Sequence, residues 1–413
     1  MNQTVCIFED NKYSQLYPLS LTRPVFDLRC GILCLKEKII RQFSNKPINL
    51  YCRDYLKDVV KQQNPSLTVN KIDSDACLFI NGRIVIDSNI AKIFNTKEEV
   101  IFIHNDTVAG AYLKGSNVKK FVNVLEKEKS FDEFKEIPRK EIEKTNIINY
   151  SWNLVHNNAS EIEKDFNYFH QGGKIEGQVS DQAILINKRN IHISKDAVVK
   201  PGAVLDAEKG PIYIGEDTEV LPNAVIQGPA YIGNKSRIKI GAKIYEGTSI
   251  GEFSKVGGEV EESIIHSYSN KQHEGFLGHA YLGQWINIGA DTNNSDLKNN
   301  YGNVKVNVNG ELIDSGSMFV GLTMGDHSKT GINTMFNTGT VVGVMSNIFG
   351  ADFLPKFIPS FSWGSARRMM EHKYDKALET ARLVMGRRNQ KMTPEYEKMI
   401  QYIFELTRTN KKL

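Results

Sequence analysis

Residues 214–261 read IGEDTEVLPNAVIQGPAYIGNKSRIKIGAKIYEGTSIGEFSKVGGEVE. From Ile214, steps of six reach Val220, Ile226, Ile232, Ile238, Ile244, Ile250 and Val256 without exception. Four places after each stand Thr218, Ala224, Ala230, Ser236, Ala242, Thr248, Ser254 and Val260, all small or β-branched. A strand alternates with period two and a helix with period 3.6, so neither alone yields a strict six. A parallel β-helix does: each six-residue unit makes one flat side and one corner, with the aliphatic inside and a small residue at the crowded turn. Three units close a coil, so Ile-Gly returns every eighteen residues, at Ile214-Gly215, Ile232-Gly233 and Ile250-Gly251. A chance run of Val and Ile in a sandwich would not hold a second matched position in register. The spacing predicts a left-handed β-helix of hexapeptide repeats.

The register extends outward from there. Ile193, Val199 and Leu205 begin it, with Ala197 and Ala203 as partners, and three extra residues before Ile214 predict a bulge. It breaks after Val256, resumes at Phe276, Leu282 and Ile288, and reaches Met324, Thr330, Phe336, Val342 and Ile348. The Asn- and Lys-rich residues 293–315 fit it poorly and predict an arm that leaves the coil. The predicted organisation is an α/β domain at 1–150, a helical linker at 151–190, the β-helix at 191–350, and a C-terminal cap with helices at 351–413. Within that last part, Ser365 is expected to open a helix with Met370, Ala377, Leu378, Ala381 and Met385 inward. Thr393-Pro394 supplies an N-cap and a Pro at N1 for another.

With 413 residues, two or three domains are expected. A net charge of +4, with no basic stripe interleaved with aromatics, argues against nucleic acid as a partner. There are five cysteines, Cys6, Cys30, Cys34, Cys52 and Cys77, and Cys30 and Cys34 are not spaced as a zinc knuckle. They read as free, mostly buried thiols of a reducing compartment. Met1–Asp10 is an apolar strand ending in acids rather than a signal peptide, and no apolar run approaches the ~20 residues that span a bilayer. The expectation is a cytoplasmic protein with no membrane partner.

In the first domain, strand-like runs at 5–8, 48–52, 77–80 and 100–103 alternate with helical patterns at 31–43 and 53–62. That alternation predicts a mostly parallel, Rossmann-like sheet, with ligands beyond the carboxyl ends of its strands. The loop after Phe8 therefore comes first. It carries Leu16-Tyr17-Pro18-Leu19-Ser20-Leu21-Thr22-Arg23-Pro24 and then Leu28-Arg29-Cys30-Gly31-Ile32-Leu33. These segments resemble the opening of sugar-1-phosphate nucleotidyltransferases, and more narrowly of a variant bacterial type of bifunctional UDP-N-acetylglucosamine diphosphorylase/glucosamine-1-phosphate N-acetyltransferase. The usual Gly-rich turn is replaced by Glu9-Asp10-Asn11-Lys12. By this resemblance Arg23 is the candidate for the nucleotide phosphates, because a guanidinium grips two oxygens at once. Arg29 and Lys36 are second choices, and Asn81 is a further substrate contact. An ordinary surface cation is the alternative for each of the three cations. Leu78-Phe79-Ile80-Asn81-Gly82-Arg83 stands where the family carries a Gly-Asp that holds Mg²⁺. Arg83 cannot ligate a metal, which leaves Asp106, Glu9 and Asp10 open as ligands.

Breaks in a regular solenoid are where function is expected. The break at 257–278 contains His273-Glu274-Gly275-Phe276-Leu277-Gly278, preceded by Glu259-Val260. It is similar to the acetyltransferase half of the same family, as is Asn287-Ile288-Gly289-Ala290-Asp291-Thr292. The resemblance implies His273 as general base, Phe276 and Asn287 at the sugar, and Ala290 and Thr292 at acetyl-CoA. Lys239, Lys271, Lys298 and Lys305 are the cations available for the sugar phosphate. A corner histidine bonded to backbone is the alternative for His273. The implied function is synthesis of UDP-N-acetylglucosamine. Glucosamine 1-phosphate is acetylated from acetyl-CoA, then joined to UMP from UTP with Mg²⁺, in a homotrimer. The rival is a nucleotidyltransferase whose β-helix is only a trimerisation scaffold.

Overall fold

The computed structural model describes residues 4–127, 131–169 and 172–410, which fall into two compact units. One comprises residues 1–16, 22–28 and 33–149; the other comprises 17–21, 29–32 and 150–413.

The first unit is a seven-stranded mixed sheet. Its strands are β1 (Thr4–Phe8), β2 (Ile48–Tyr51), β3 (Thr68–Val69), β4 (Ala76–Asn81), β6 (Val100–His104), β7 (Thr107–Lys114) and β8 (Arg139–Glu141), in the order β3-β2-β1-β4-β7-β6-β8. A separate pair joins β5 (Ile84–Val85) to β9 (Asn146–Ile147). Strands β3, β2, β1 and β4 are mutually parallel, whereas β7 runs antiparallel to both neighbours. The helices are α1 (Leu35–Gln42), α2 (Lys57–Gln63), α3 (Ser88–Ile93) and α4 (Ser116–Glu126). The expected helix at 31–43 starts late, because residues 29–32 pack in the other unit. Phe8, Phe79 and Phe121 form the centre of this core, with Phe8 and Phe121 edge to face at 5.4 Å. All five cysteines are free, and only Cys34 is not fully buried.

The second unit opens with α5 (Ser151–Phe169), which is followed by the coil. Successive short strands deal themselves in rotation onto three parallel sheets, the signature of a three-sided parallel β-helix. The interior column of one face runs Val179, Val199, Val220, Ile238, Val256. The next runs Leu185, Leu205, Ile226, Ile244, Val260, Leu277. The third runs Ile193, Ile214, Ile232, Ile250, Ile265, Leu282 and on to Met324, Val342 and Ile358. From Ile193 to Val256 these are the residues of the six-step register, and all the columns form one continuous core. After the break the interior place falls to Leu277 and not to the expected Phe276, which is paired with Glu259 in the outward row. The coil starts earlier than expected, at Gln178–Val179 rather than near Ile193. Val179 and Leu185 each stand twenty residues before their partners Val199 and Leu205, so counting back by eighteen misses them.

One corner carries a column of left-handed residues that includes Lys235, Phe253, Tyr268, Trp285 and His327, each with φ between 56° and 62°. Phe253, Tyr268, Trp285 and His327 stack with centroids 4.9, 4.2 and 5.9 Å apart. The ring stacking helps hold a conformation that L-residues adopt at a cost.

An arm leaves the coil, at residues 295–322 and not the expected 293–315, because Asn293–Asn294 still pair in the coil with Met335–Phe336. They carry an antiparallel hairpin, Lys305–Val308 with Glu311–Asp314, and the neck closes by a bridge between Leu297 and Phe319. The C-terminal helices are α6 (Tyr374–Gly386) and α7 (Pro394–Thr409). Thr393 caps α7 by accepting from Tyr396 N. Helix α6 begins nine residues after the expected Ser365, because Met369–Glu371 forms a strand against Ser362–Gly364. Ala377, Leu378, Ala381 and Met385 are buried as predicted, whereas Met370, expected inward with them, is an exposed residue of the strand. Among the described residues no helix is long and apolar enough to cross a membrane.

Candidate functional site

In the sheet unit, β1 has parallel partners on both sides, so the strand order reverses at its carboxyl end. Ligands of open α/β sheets collect at such a point. Glu9 and Asp10 leave β1 here, and Asn81 and Arg83 leave β4. The Arg83 side chain is fully buried. Its Nε donates to Asp10 Oδ1 at 2.9 Å, its Nη2 makes a short bond to Asp10 Oδ2, and its Nη1 reaches Ile148 O and Asn149 Oδ1 at 2.8 Å. Asn81 Nδ2 adds a bond to Asp10 at 2.9 Å, and its Oδ1 accepts from Arg83 N. Glu9 is held likewise by Arg53, through Nε and the backbone N at 3.1 Å and Nη2 at 3.0 Å, and by Val25 N.

Magnesium asks for carboxylate and water oxygens in near-octahedral array. Here a cation would have to displace a buried guanidinium from each carboxylate, so the crevice does not fit a resident Mg²⁺. Asp106, the third open possibility, is exposed at a left-handed turn between β6 and β7. Among the described residues no three His, Cys, Asp or Glu side chains converge to hold a metal ion.

The other expected phosphate ligands of the N-terminal segment are placed as follows. Arg23 is buried beside this crevice, its carbonyl accepting from Arg53 Nη2 at 3.0 Å. Lys36 is committed to Asp27 at 2.6 Å and to Asn64 at 2.8 Å. Burial works against the Lys36 charge, but the Asp27 carboxylate outweighs it and raises the ammonium pKa. Asn81 is spent inside the Asp10 network. Arg29 belongs to the coil unit and is corrected to a structural role. Its Nη2 donates to both oxygens of Glu252 at 2.9 and 3.0 Å, its Nη1 bonds Ile32 O, and it lies over the Tyr231 ring. Lys12 went unnoticed in the sequence. It is half-buried, its backbone N donates to Asp10 Oδ1 at 3.3 Å, and its ammonium, 2.9 Å from Thr107 Oγ1, has no carboxylate partner among the described residues.

In the coil, His273 occupies the corner between Asn270–Lys271 on one face and Phe276–Gly278 on the next. It is exposed, and its ring makes no hydrogen bond or ion pair with any described residue. On the Phe276 side, Lys243, Glu259 and Phe276 stand in one outward row. Lys243 Nζ lies 3.6 Å from Glu259 and 3.8 Å from Glu274. The Phe276 ring folds back over Gly278, where any Cβ would lie 2.5 Å from it. On the other side, Asn270, Asn287 and Lys329 form the outward row, with Asn287 exposed.

Lys271 is corrected from a phosphate ligand to an interior residue. It pairs with Val256 at the next place in an aliphatic column and is only 2% exposed. Its ammonium turns to the corner and donates to Gly257 O at 3.0 Å and His273 O at 2.8 Å. Burial pulls its pKa down to about 8. Gly258 makes room, because a Cβ there would stand 2.7 Å from Nζ. Lys271 therefore anchors the backbone of the His273 corner.

Thr292 is buried against Thr330 at 3.1 Å, and the carbonyl of its neighbour Ala290 accepts from Asn333 N. Lys298 and Lys305 lie on the arm, where Lys298 bonds Asn303 O and Lys305 pairs across the hairpin from Asp314. The structure thus gathers His273, Phe276 and Asn287 around one corner. Lys243, which the sequence reading passed over, joins them through its row with Glu259.

At the base of the arm, His279 Nδ1 is 2.8 Å from Asp296 and Nε2 is 3.1 Å from Glu262, under the Phe319 ring. Burial disfavours its charge, but bonds to the two carboxylates override this and hold its pKa at about 9. A folded-state pKa above the unfolded value near 6.5 means stabilisation that is fully present below that value and lost as pH rises through about 9. The melting temperature of the coil unit is expected to fall between pH 7 and 10, and this slope should shrink in His279→Gln. Parallel pH profiles for the two proteins would refute the clamp.

Comparison with known proteins places part of the chain in a known family. Residues 5–174 match the family described as sugar nucleotidyl transferase. A bifunctional sugar-1-phosphate nucleotidylyltransferase/acetyltransferase of Sulfurisphaera tokodaii is 30% identical over 143 residues, 34% of this chain and 36% of that protein. The bifunctional protein GlmU of Acidithiobacillus ferrooxidans is 38% identical over 104 residues, 25% of this chain and 22% of its own length. These two matches span well under half of either relative. The bifunctional protein GlmU of Methanococcus aeolicus aligns over 83% of this chain and 92% of its own length at 26% identity.

Proposed function

We propose that this chain, a sugar nucleotidyl transferase domain followed by a parallel β-helix, is a bifunctional enzyme that makes UDP-N-acetylglucosamine. The coil acetylates glucosamine 1-phosphate and the sheet unit joins the product to UMP. The observation that carries the reading is the unbonded, exposed imidazole of His273 at a corner flanked by Phe276, Asn287 and Lys243. The names of the bifunctional relatives support it.

An amino sugar arrives as an ammonium and must lose a proton before it can attack. His273 Nε2 or Nδ1 takes that proton, since both are unbonded in the described structure. The amine then forms a C–N bond with the thioester carbonyl of acetyl-CoA while the C–S bond breaks, and the leaving thiolate regains a proton. Lys271 keeps the corner in place through the His273 carbonyl. In the sheet unit, a phosphate oxygen of N-acetylglucosamine 1-phosphate attacks the α-phosphorus of UTP and pyrophosphate leaves. Lys12 and Arg23 are the cations that would hold phosphate there. Magnesium enters with UTP as the nucleotide's own counter-ion. A homotrimer is the assembly we propose, by analogy with other coils of this kind.

Purified protein incubated with glucosamine 1-phosphate, acetyl-CoA, UTP and Mg²⁺ should yield UDP-N-acetylglucosamine. Omitting UTP should leave N-acetylglucosamine 1-phosphate. No release of coenzyme A under any combination would sink the acetyl-transfer half. Release of coenzyme A without pyrophosphate would confine activity to the coil.

A further inference from the structure

We infer that the crevice at the carboxyl ends of β1 and β4 takes its phosphate ligand without a metal ion, because the protein's own donors already fill both of its acids. A carboxylate offers about four lone-pair sites. At Asp10, Oδ1 accepts from Arg83 Nε at 2.9 Å and from Lys12 N at 3.3 Å, while Oδ2 accepts from Asn81 Nδ2 at 2.9 Å and from Arg83 Nη2. Glu9 is filled in the same way. Its Oε1 accepts from Val25 N at 2.9 Å and Arg53 Nη2 at 3.0 Å, and its Oε2 accepts from Arg53 N and Nε, both at 3.1 Å. Every lone pair that a cation would need is in use.

The donors are themselves committed elsewhere. Arg83 Nη1 is fixed by Ile148 O and Asn149 Oδ1. Arg53 lies 4.2 Å over the Tyr13 ring, donates to Tyr55 OH from Nη1, and reaches Arg23 O from Nη2. Neither guanidinium can turn away to admit Mg²⁺ without leaving an unpaired charge in a buried place.

Charge points the same way. Glu9 and Asp10 meet the guanidinium groups of Arg83 and Arg53 and the ammonium of Lys12, so cations outnumber them. Such a balance repels a divalent cation and draws a polyphosphate. Lys12 is the member with charge to offer. Its Nζ rests on Thr107 Oγ1, next to Val108, whose carbonyl accepts from Asn81 Nδ2 at 3.0 Å. The ammonium therefore stands beside the Asp10 network without being consumed by it. Arg83 and Arg53 build into the fold the positive charge that a metal-dependent crevice would have to recruit. The choice of ligand, UTP, rests on the proposed uridylyl transfer; the inference concerns binding and not the chemical step.

Calorimetric titration of the full chain with UTP, once in EDTA and once in Mg²⁺, tests this. Wild-type protein should bind UTP in EDTA at least as tightly as in Mg²⁺, since the bare triphosphate carries more negative charge. In Lys12→Gln the Kd in EDTA should rise about tenfold, as loss of one charged hydrogen bond implies. Lys12 is only half-buried, and unchanged circular dichroism and melting would show that folding is intact. Mn²⁺ added without nucleotide should keep the paramagnetic spectrum of the free ion. Weaker binding of UTP in EDTA than in Mg²⁺, a Kd in EDTA that Lys12→Gln leaves unchanged, or Mn²⁺ captured by wild type and released by Asp10→Asn overturns the inference. The uridylyl-transfer reading fails separately. Metal-free binding that depends on Lys12, with no pyrophosphate released under any condition, would remove that reading and keep the inference. Pyrophosphate release together with binding that needs Mg²⁺ would do the reverse.

Discussion

In His273→Ala, kcat for acetylation of glucosamine 1-phosphate falls by about 10²–10⁴-fold, the usual worth of a positioned general base. KM for either substrate changes little, because the ring is asked to move a proton and not to hold the ground state. The substitution removes an exposed side chain that makes no hydrogen bond, ion pair or ring contact with any described residue, so the melting temperature should match wild type. Steady-state rates by thiol release decide the matter. Wild-type turnover in the variant would return His273 to the status of a corner residue.

Arg83→Leu has the largest expected effect on stability. It strips Asp10 of two guanidinium bonds inside a crevice where the arginine is fully buried and the carboxylate nearly so. An uncompensated buried charge of this kind costs about 3–5 kcal/mol. For a unit of this size, that would lower the first unfolding transition by roughly 6–20 °C. Adding Asp10→Asn removes the orphaned charge, so the double variant should regain much of the loss, and such non-additivity identifies a coupled pair. Calorimetric scans of wild type, both single variants and the double variant provide the measurement. Additive losses would mean that the two side chains are not energetically coupled.

The six-step register made the coil legible because each inward position is a local event. An aliphatic side chain faces the axis wherever the strand repeats, and three sheets appear where the spacing places them. The arm was legible too, since Asn and Lys cannot line an apolar interior. What could not be read were the partners of cations. Arg29 looks like a free guanidinium in its own segment, yet Glu252, which holds it, lies 223 residues away. Lys36 and Asp27 are nearer, but nothing in the local pattern points the two side chains at each other. Lys271 fell on an interior place that five earlier positions fill with Val or Ile, and its charge drew attention away from the register. Lys243 was missed for the opposite reason. It occupies an unremarkable outward position, and its surroundings come from neighbouring coils. The start of α6 was misjudged because Met369–Glu371, apolar enough to continue a helix, found an open strand edge instead.

The arm has one more consequence. Tyr281–Leu282 hands its pairing straight to Thr323–Met324, so the ladder skips the excursion between them. The coil keeps count by rungs and is indifferent to the chain length spent outside. With its neck pinched at Leu297 and Phe319, the arm is a socket. A reporter domain or an affinity peptide could replace the hairpin tip, and the barrel of sheets beneath would still wind on schedule.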